Sequence, residues 1–317
     1  MMFKILRYSD VHKKQWNAFI KTAKNGLFFF ERDYMEYHQH RFTDHSIIFL
    51  KEEEIISVFP ATEKGRIITS HGGLTFGSLL ISRNIKTIEV LKMFEMLIEY
   101  YKSVGCREII YKAIPYIFNT YPAQEDLYAL YINNAHLIRR DISCVVDMGS
   151  PIGFNTNKRR LVKKCKQNNV LVAENEDFSE YWDLLTGVLE KYETKPVHGL
   201  DEILHLKNKF PNNIRLFEAR LENNLLAGTV IFDFDTVIHT QYLAISNLGK
   251  NYGALDFINF YLMENIFKYR PYYSFGISTE NSGRYLNEGL IQQKENMGGR
   301  AVTLDFYRIE LNKTTND

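Results

Sequence analysis

Two rhythms of apolar residues alternate along this chain. Short runs that are apolar throughout, or at every second position, predict strands at residues 46–50, 55–61, 67–71, 108–113 and 144–148. In the second half, residues 214–220, 225–234, 237–244, 273–277 and 301–309 read the same way. Turn residues at 52–54 and 222–224 close two hairpins. Apolar residues three or four apart predict helices at 85–103 (Ile88, Leu91, Ile98) and 254–269 (Leu255, Ile258, Leu262, Ile266). Gly105 and Pro271 stop them. Three more helices are expected between the halves, at 157–168, 178–192 and 200–210.

The order hairpin, strand, glycine-containing turn, helix, strand occurs twice, displaced by roughly 165 residues. A chance recurrence of common hairpin–helix patterns is the alternative. The fold class is α/β (α+β), with two lobes at residues 1–150 and 151–317. Each lobe is expected to be a mixed, mainly antiparallel sheet flanked by helices.

One segment breaks the pattern. Residues 275–299, FGISTENSGRYLNEGLIQQKENMGG, are mostly polar yet lie between two predicted core strands. Polar chemistry held there marks a candidate site, with Ser278, Glu280, Asn281 and Lys294 foremost. The counterpart at residues 113–141 lacks the Ser-x-Glu-Asn and Lys-Glu pattern, so the second lobe is expected to carry the chemistry.

Composition narrows the classes. The chain has 317 residues, 45% hydrophobic and 24% charged, the range of an ordinary globular protein. Aromatics reach 14%, enough to fill a large core or line a cleft. A net charge of +1 gives no global field toward DNA or membrane. No stretch of about 18 apolar residues occurs and the N-terminus lacks an apolar signal core, so no membrane span and a cytoplasmic location are expected. Cys106, Cys144 and Cys165 form no C-x-x-C motif, which predicts reduced, buried thiols and no metal.

Further candidates lie outside the polar run. Strict alternation on the 237–244 strand puts His239 and Gln241 on one face, Thr240 and Tyr242 on the other. His239 is either a base suited to neutral pH or a satisfied core histidine. His198, in a loop after Pro196, is a substrate contact or a helix-start residue. His71-Gly-Gly73 reads as a flexible loop that admits a ligand, or as a simple turn. Six cations in nine residues, with Arg159 and Lys163 among them, give the 157–168 helix a basic face, either solvated or bound to an anion.

The doubled unit resembles the GNAT acyltransferase fold, and in particular the FemABX-like branch, whose best-known members add amino acids to peptidoglycan precursors. The residues that carry the resemblance are the basic helix through Val162-Lys-Lys-Cys-Lys-Gln-Asn-Asn-Val170, then Phe275-Gly-Ile-Ser278, then the "gl..fK..fG"-like ending from Gly289 to Gly298. The resemblance implies an acyltransferase moving an acyl group from acyl-coenzyme A to an amine on a sugar or cell-envelope precursor. It assigns Glu280 as a candidate base, alongside His239. Lys294 becomes a cation that offsets transition-state charge, and Tyr242 an acid for the leaving thiolate, with core packing as Tyr242's alternative. Gln241, His198, Ser278 and Asn281 become candidate substrate contacts. Lys250-Asn-Tyr-Gly253-Ala254 stands where GNAT enzymes hold the coenzyme A pyrophosphate, although Leu255 replaces the last small residue, and a plain helix-start turn is the other reading. Residues 82–86 of the first lobe have no such glycine, so that lobe is expected to serve as the acceptor wall. Two rivals remain at this stage: an aminoacyl-transfer-RNA donor, and a binding module without catalysis.

Overall fold

The computed structural model describes residues 3–311. The chain divides into two compact units, one running up to Asp141 and resuming at Thr303, the other spanning Ile142–Val302. Both boundaries fall inside strands.

In chain order the first unit contains β1 (Phe3–Arg7), α1 (Lys13–Ile20), α2 (Arg32–Met35), β2 (Thr43–Asp44), β3 (Ile47–Lys51), β4 (Glu54–Phe59), β5 (Thr62–Lys64), β6 (Ile67–Thr69), β7 (Leu80–Ile81), α3 (Thr87–Ser103), β8 (Glu108–Lys112), α4 (Glu125–Ile132) and the start of β9 (His136–Asp147). β3 and β4 form the predicted hairpin, and β6 pairs in parallel with β8 on either side of α3. The buried face of α3 (Val90, Met93, Phe94, Leu97, Tyr101) packs into a core with Phe49, Phe59, Ile109 and Tyr111.

The second unit contains α5 (Thr156–Gln167), β10 (Leu171–Asn175), α6 (Ser179–Glu190), α7 (Leu200–Lys209), β11 (Ile214–Leu221), β12 (Asn224–Asp233), β13 (Val237–Ile245), α8 (Asn247–Tyr252), α9 (Ala254–Tyr261), β14 (Tyr272–Ile277), β15 (Thr279–Glu280), β16 (Tyr285–Leu286), α10 (Glu288–Glu295) and the start of β17 (Arg300–Glu310). β10 to β13 form an antiparallel meander, and β14 joins β13 in parallel. β12 is buried from Leu226 onward because it is paired on both edges and covered on both faces. Ile231, Ile238, Tyr273 and Phe275 meet Ala254, Phe257, Ile258 and Leu262 of the α9 segment in one core. No helix among the described residues is long and apolar enough to cross a membrane.

The order strand, two helices, antiparallel strands, helix, parallel strand, helix, long strand occurs in both repeats, although in the first the strands fall into a β1-β3-β4-β7 sheet and a β8-β6-β5-β2 run. Residues 143–147 of β9 pair with β14 in the second unit, and residues 306–310 of β17 pair with β8 in the first. Each unit thus takes a strand segment from the end of the other repeat.

Four local expectations are corrected. The segment expected as a turn at Gly249–Gly253 is helix α8, capped by the Ser246 hydroxyl accepting from the Gly249 N–H. The helix expected to run to residue 269 leaves α geometry after Tyr261 and ends in a π turn at Leu262–Ile266. The strand expected at 144–148 starts eight residues sooner, at His136; the polar sequence HLIRRD hides its first half. The loop from His71 is held by the buried Lys112 ammonium, which donates to the carbonyls of His71 and Leu74, so it is tied down rather than flexible.

Candidate active site

The parallel ladder between β13 and β14 has only three rungs, Val237–Tyr272, Ile238–Tyr273 and His239–Ser274. Beyond them the two strands part. A parallel ladder slants its bonds across both strands, so parting leaves backbone groups and side chains free to meet a ligand. Opposite this point β13 carries a bulge. Ile231 pairs with Thr240 and Val230 with Tyr242, so Gln241 is the extra residue. The bulge overturns strict alternation. Thr240 and Tyr242 oppose consecutive β12 residues and lie on opposite faces, while His239 and Tyr242 share one.

Five residues gather where the strands separate. The His239 ring nitrogen Nδ1 is 3.2 Å from the Ser274 hydroxyl. Burial and the nearby Lys294 charge push the His239 pKa down to about 4, so the ring is neutral at physiological pH. Gly276 follows on β14 with φ of 72°, and a Cβ there would stand 3.2 Å from His239 Cε1. The glycine therefore gives the strand its left-handed step and keeps the imidazole edge uncovered. The Lys294 ammonium, on the last turn of α10, donates to Gly276 O (3.0 Å), Ile277 O (2.6 Å) and Ser278 Oγ (2.9 Å). All three of its protons are used, and burial lowers its pKa to about 8. Ser278 and Lys294 are both buried, so this end of β14 is a pinned, positively charged corner.

Tyr242 lies further along the same face of β13. Its hydroxyl is 2.6 Å from His198 Nδ1 and accepts the His198 backbone N–H at 3.2 Å. Burial raises its pKa to about 12, so the phenol keeps its proton. Trp182 of α6 packs edge-on against it. Gln241 is half-buried between the two groups.

The other sequence candidates lie elsewhere. Glu280 and Asn281 are exposed on the β15–β16 hairpin; Asn287 donates to the Glu280 carboxylate at 2.8 Å and its oxygen caps α10. Arg159 borders a cavity of about 340 Å³ lined by Met148, Phe154, Phe260, Met263 and Met297. Lys163 is exposed on α5. Other cations of the basic helix are structural: Lys158 pairs with Asp256 at 2.6 Å and Lys164 donates to Asn251 O.

The site expected to hold a pyrophosphate is filled. The Gly253 N–H bonds to Gly249 O and Lys250 O inside the helix. A Cβ on Gly253 would fall 2.6 Å from Leu161 of α5, and the Asp256 carboxylate occupies the first turn of α9. Lys250 is exposed and Ala254 is in the core. This set of residues does not fit a diphosphate at Gly253: the amide is used inside α8, Leu161 takes the space beside the Cα, and the Lys158 ammonium is already paired with Asp256.

Sequence reading missed Ser274. It lies in the strand predicted at residues 273–277, and its polarity inside an apolar run was the available signal. Its meaning depended on the register that sets it beside His239.

No protein-family model matches this chain, and no curated protein matches it. Among solved structures, it is similar to FemX at a TM-score of 0.71 and 11% identity, with 98% of each chain covered. It is similar to L-PGS from Bacillus licheniformis at 0.59 and 11%, covering 93% of this chain and 90% of that one. A tandem GNAT protein from the clavulanic acid biosynthesis pathway matches at 0.52 and 10%, covering 99% and 100%. The doubled order of elements agrees with these likenesses, and the chain has the FemX-like tandem GNAT fold.

Proposed function

We propose that this protein transfers an acyl group to a primary amine, with the reacting carbonyl placed where β13 and β14 part. The observation that carries this reading is the neutral His239, fixed through Ser274, beside an uncovered Gly276 and the cationic corner made by Lys294. The amine nitrogen forms a bond to the acyl carbon, and the carbonyl oxygen gains negative charge as it does so. His239 accepts the amine proton. The tetrahedral intermediate collapses with loss of the bond to the leaving sulfur or oxygen, whose electron pair takes a proton from the Tyr242 phenol. The Lys294 charge is worth more there than in water because the site is buried. A sugar-linked or cell-envelope amine is the proposed acceptor.

Acyl-coenzyme A is one donor reading. The filled surroundings of Gly253 favour a second, an aminoacyl ester of transfer RNA, whose phosphates could meet the exposed Arg160 and Lys163 of α5. The test incubates the full chain with an amine acceptor panel and either an acyl-coenzyme A series or charged transfer RNA. Product is read by mass as the N-acylated amine. Product from one donor class identifies it. No product from either class, under conditions where the folded protein binds one of them, would favour a binding role instead.

A further inference from the structure

Outside the candidate active site, the first unit brings three metal-ligating atoms together. His45 precedes β3, Glu63 is in β5 and Cys106 lies between α3 and β8. His45 Nδ1, a Glu63 carboxylate oxygen and Cys106 Sγ all lie within 4.8 Å of one another. His45 Nδ1 is 2.8 Å from Glu63 Oε2. His45 and Cys106 are 3% and 2% exposed, whereas the Glu63 side chain is 31% exposed and opens the cluster to solvent.

We propose that His45, Glu63 and Cys106 form a binding site for a zinc-class divalent cation, with water as the fourth ligand. One sulfur, one imidazole nitrogen and one carboxylate oxygen suit a borderline-soft ion and not calcium or magnesium, which take oxygen. Zinc bonds of about 2.0–2.3 Å place tetrahedral donors about 3.3–3.8 Å apart, so small side-chain shifts convert the cluster into a site. The charges also balance. A thiolate and a carboxylate neutralise a divalent ion, which removes the cost of burying net charge. Binding releases the Cys106 proton to solvent.

The surroundings orient the ligands. The Tyr100 hydroxyl is 3.5 Å from His45 Nε2, the nitrogen that would not ligate, and the Tyr101 hydroxyl donates to His45 O at 2.7 Å. The His45 N–H donates to Ala61 O, and the Cys106 N–H to Tyr101 O. The three ligands thus come from segments already fixed to one another. A bound ion would tie the entry to β3, the β5 edge and the end of α3.

A cobalt(II) titration of the full chain tests the site. The expected result is a one-to-one complex with tetrahedral visible absorption and a thiolate-to-cobalt charge-transfer band, displaced by zinc. Cys106→Ser should abolish that band, and the Cys144→Ser/Cys165→Ser double variant should keep it. Glu63→Gln, at the open rim, should weaken binding by about tenfold or more while the chain stays folded. Absence of the band in the folded wild-type chain would overturn the proposal, as would its persistence in Cys106→Ser.

Discussion

At the residue scale, the two buried titratable groups of the candidate site carry the same signature in different pH windows. The His239 pKa of about 4 lies below the free value near 6.5. Between those pH values the unfolded chain binds a proton that the folded chain refuses, so stability falls as pH drops through that window. We expect the acid limb of kcat/KM to lie near pH 4 rather than 6.5. His239→Gln should lower kcat by roughly 10²–10⁴ with the fold intact; a pH-rate profile and a thermal melt read both outcomes. Lys294 follows the same sign at higher pH. Its pKa of about 8 lies below the free value near 10.4, so the unfolded chain holds the extra proton between them and stability rises with pH there. Lys294→Met leaves two carbonyls and the Ser278 hydroxyl without their donor, at a cost of about 1–3 kcal/mol. The stability lead of wild type over this variant should widen between pH 8 and 10 in urea titrations. A constant lead would contradict the burial of the ammonium. Sequence marked Lys294, Ser278, His239, Tyr242 and His198. It also marked Glu280 and Asn281, which are equally polar but lie on an exposed hairpin. Residue type states what chemistry is possible; register and burial select where it converges.

At the element scale, the bulge at Gln241 and the packing of α5 on Gly253 do most to shape the site. Strand prediction by period two was correct in extent for β13 and wrong in phase after residue 240. One inserted residue moves every later side chain to the other face, and nothing in VIHTQYLA announces it. The helix α8 escaped notice because it is short and begins in a glycine-containing segment; its stop, Gly253, has φ of 74°. Gly253→Ala should destabilise the second unit by about 1–3 kcal/mol, from left-handed strain together with the Leu161 clash. Adding Leu161→Ala should recover only the part of the clash due to Cγ and Cδ1, at 2.9 and 3.0 Å, because the Leu161 Cβ at 2.6 Å stays. Equilibrium denaturation of the single and double variants reads that part, and equal midpoints for them would show that Cγ and Cδ1 do not press on the turn.

At the scale of the whole molecule, the hairpin, strand, helix and strand of each repeat are read from sequence, whereas the strand and two helices that open each copy (β1, α1, α2 and β10, α6, α7) are not read as part of it. What it hides is the exchange of strands. Residues 306–310 pair with β8, and residues 143–147 pair with β14. A fragment ending at residue 150 therefore lacks the β8 partner and exposes a strand edge. We expect it to aggregate when expressed alone, whereas co-expression with residues 151–317 should restore solubility. A soluble, cooperatively melting fragment would argue against the exchanged pairing. Charge also acts at this scale. If transfer RNA is the donor, Arg160→Glu with Lys163→Glu should reduce its affinity and flatten the salt dependence, because both side chains are exposed. Acyl-coenzyme A turnover, if present, should be unaffected by the same pair.

By itself the sequence determined the strands and helices with clear periodicity, the doubled plan and the residue types able to do acyl-transfer chemistry. These are local properties, written in the spacing of apolar residues and in turn chemistry. Only the tertiary structure decided that His239 and Tyr242 share a face, that Ser274 supports the imidazole, and that Lys294 spends its protons on the end of β14. It alone filled the space at Gly253 and brought His45, Glu63 and Cys106 within reach of one ion. Such contacts join residues far apart in the chain. They follow from register, bulges and close packing, which no local pattern records.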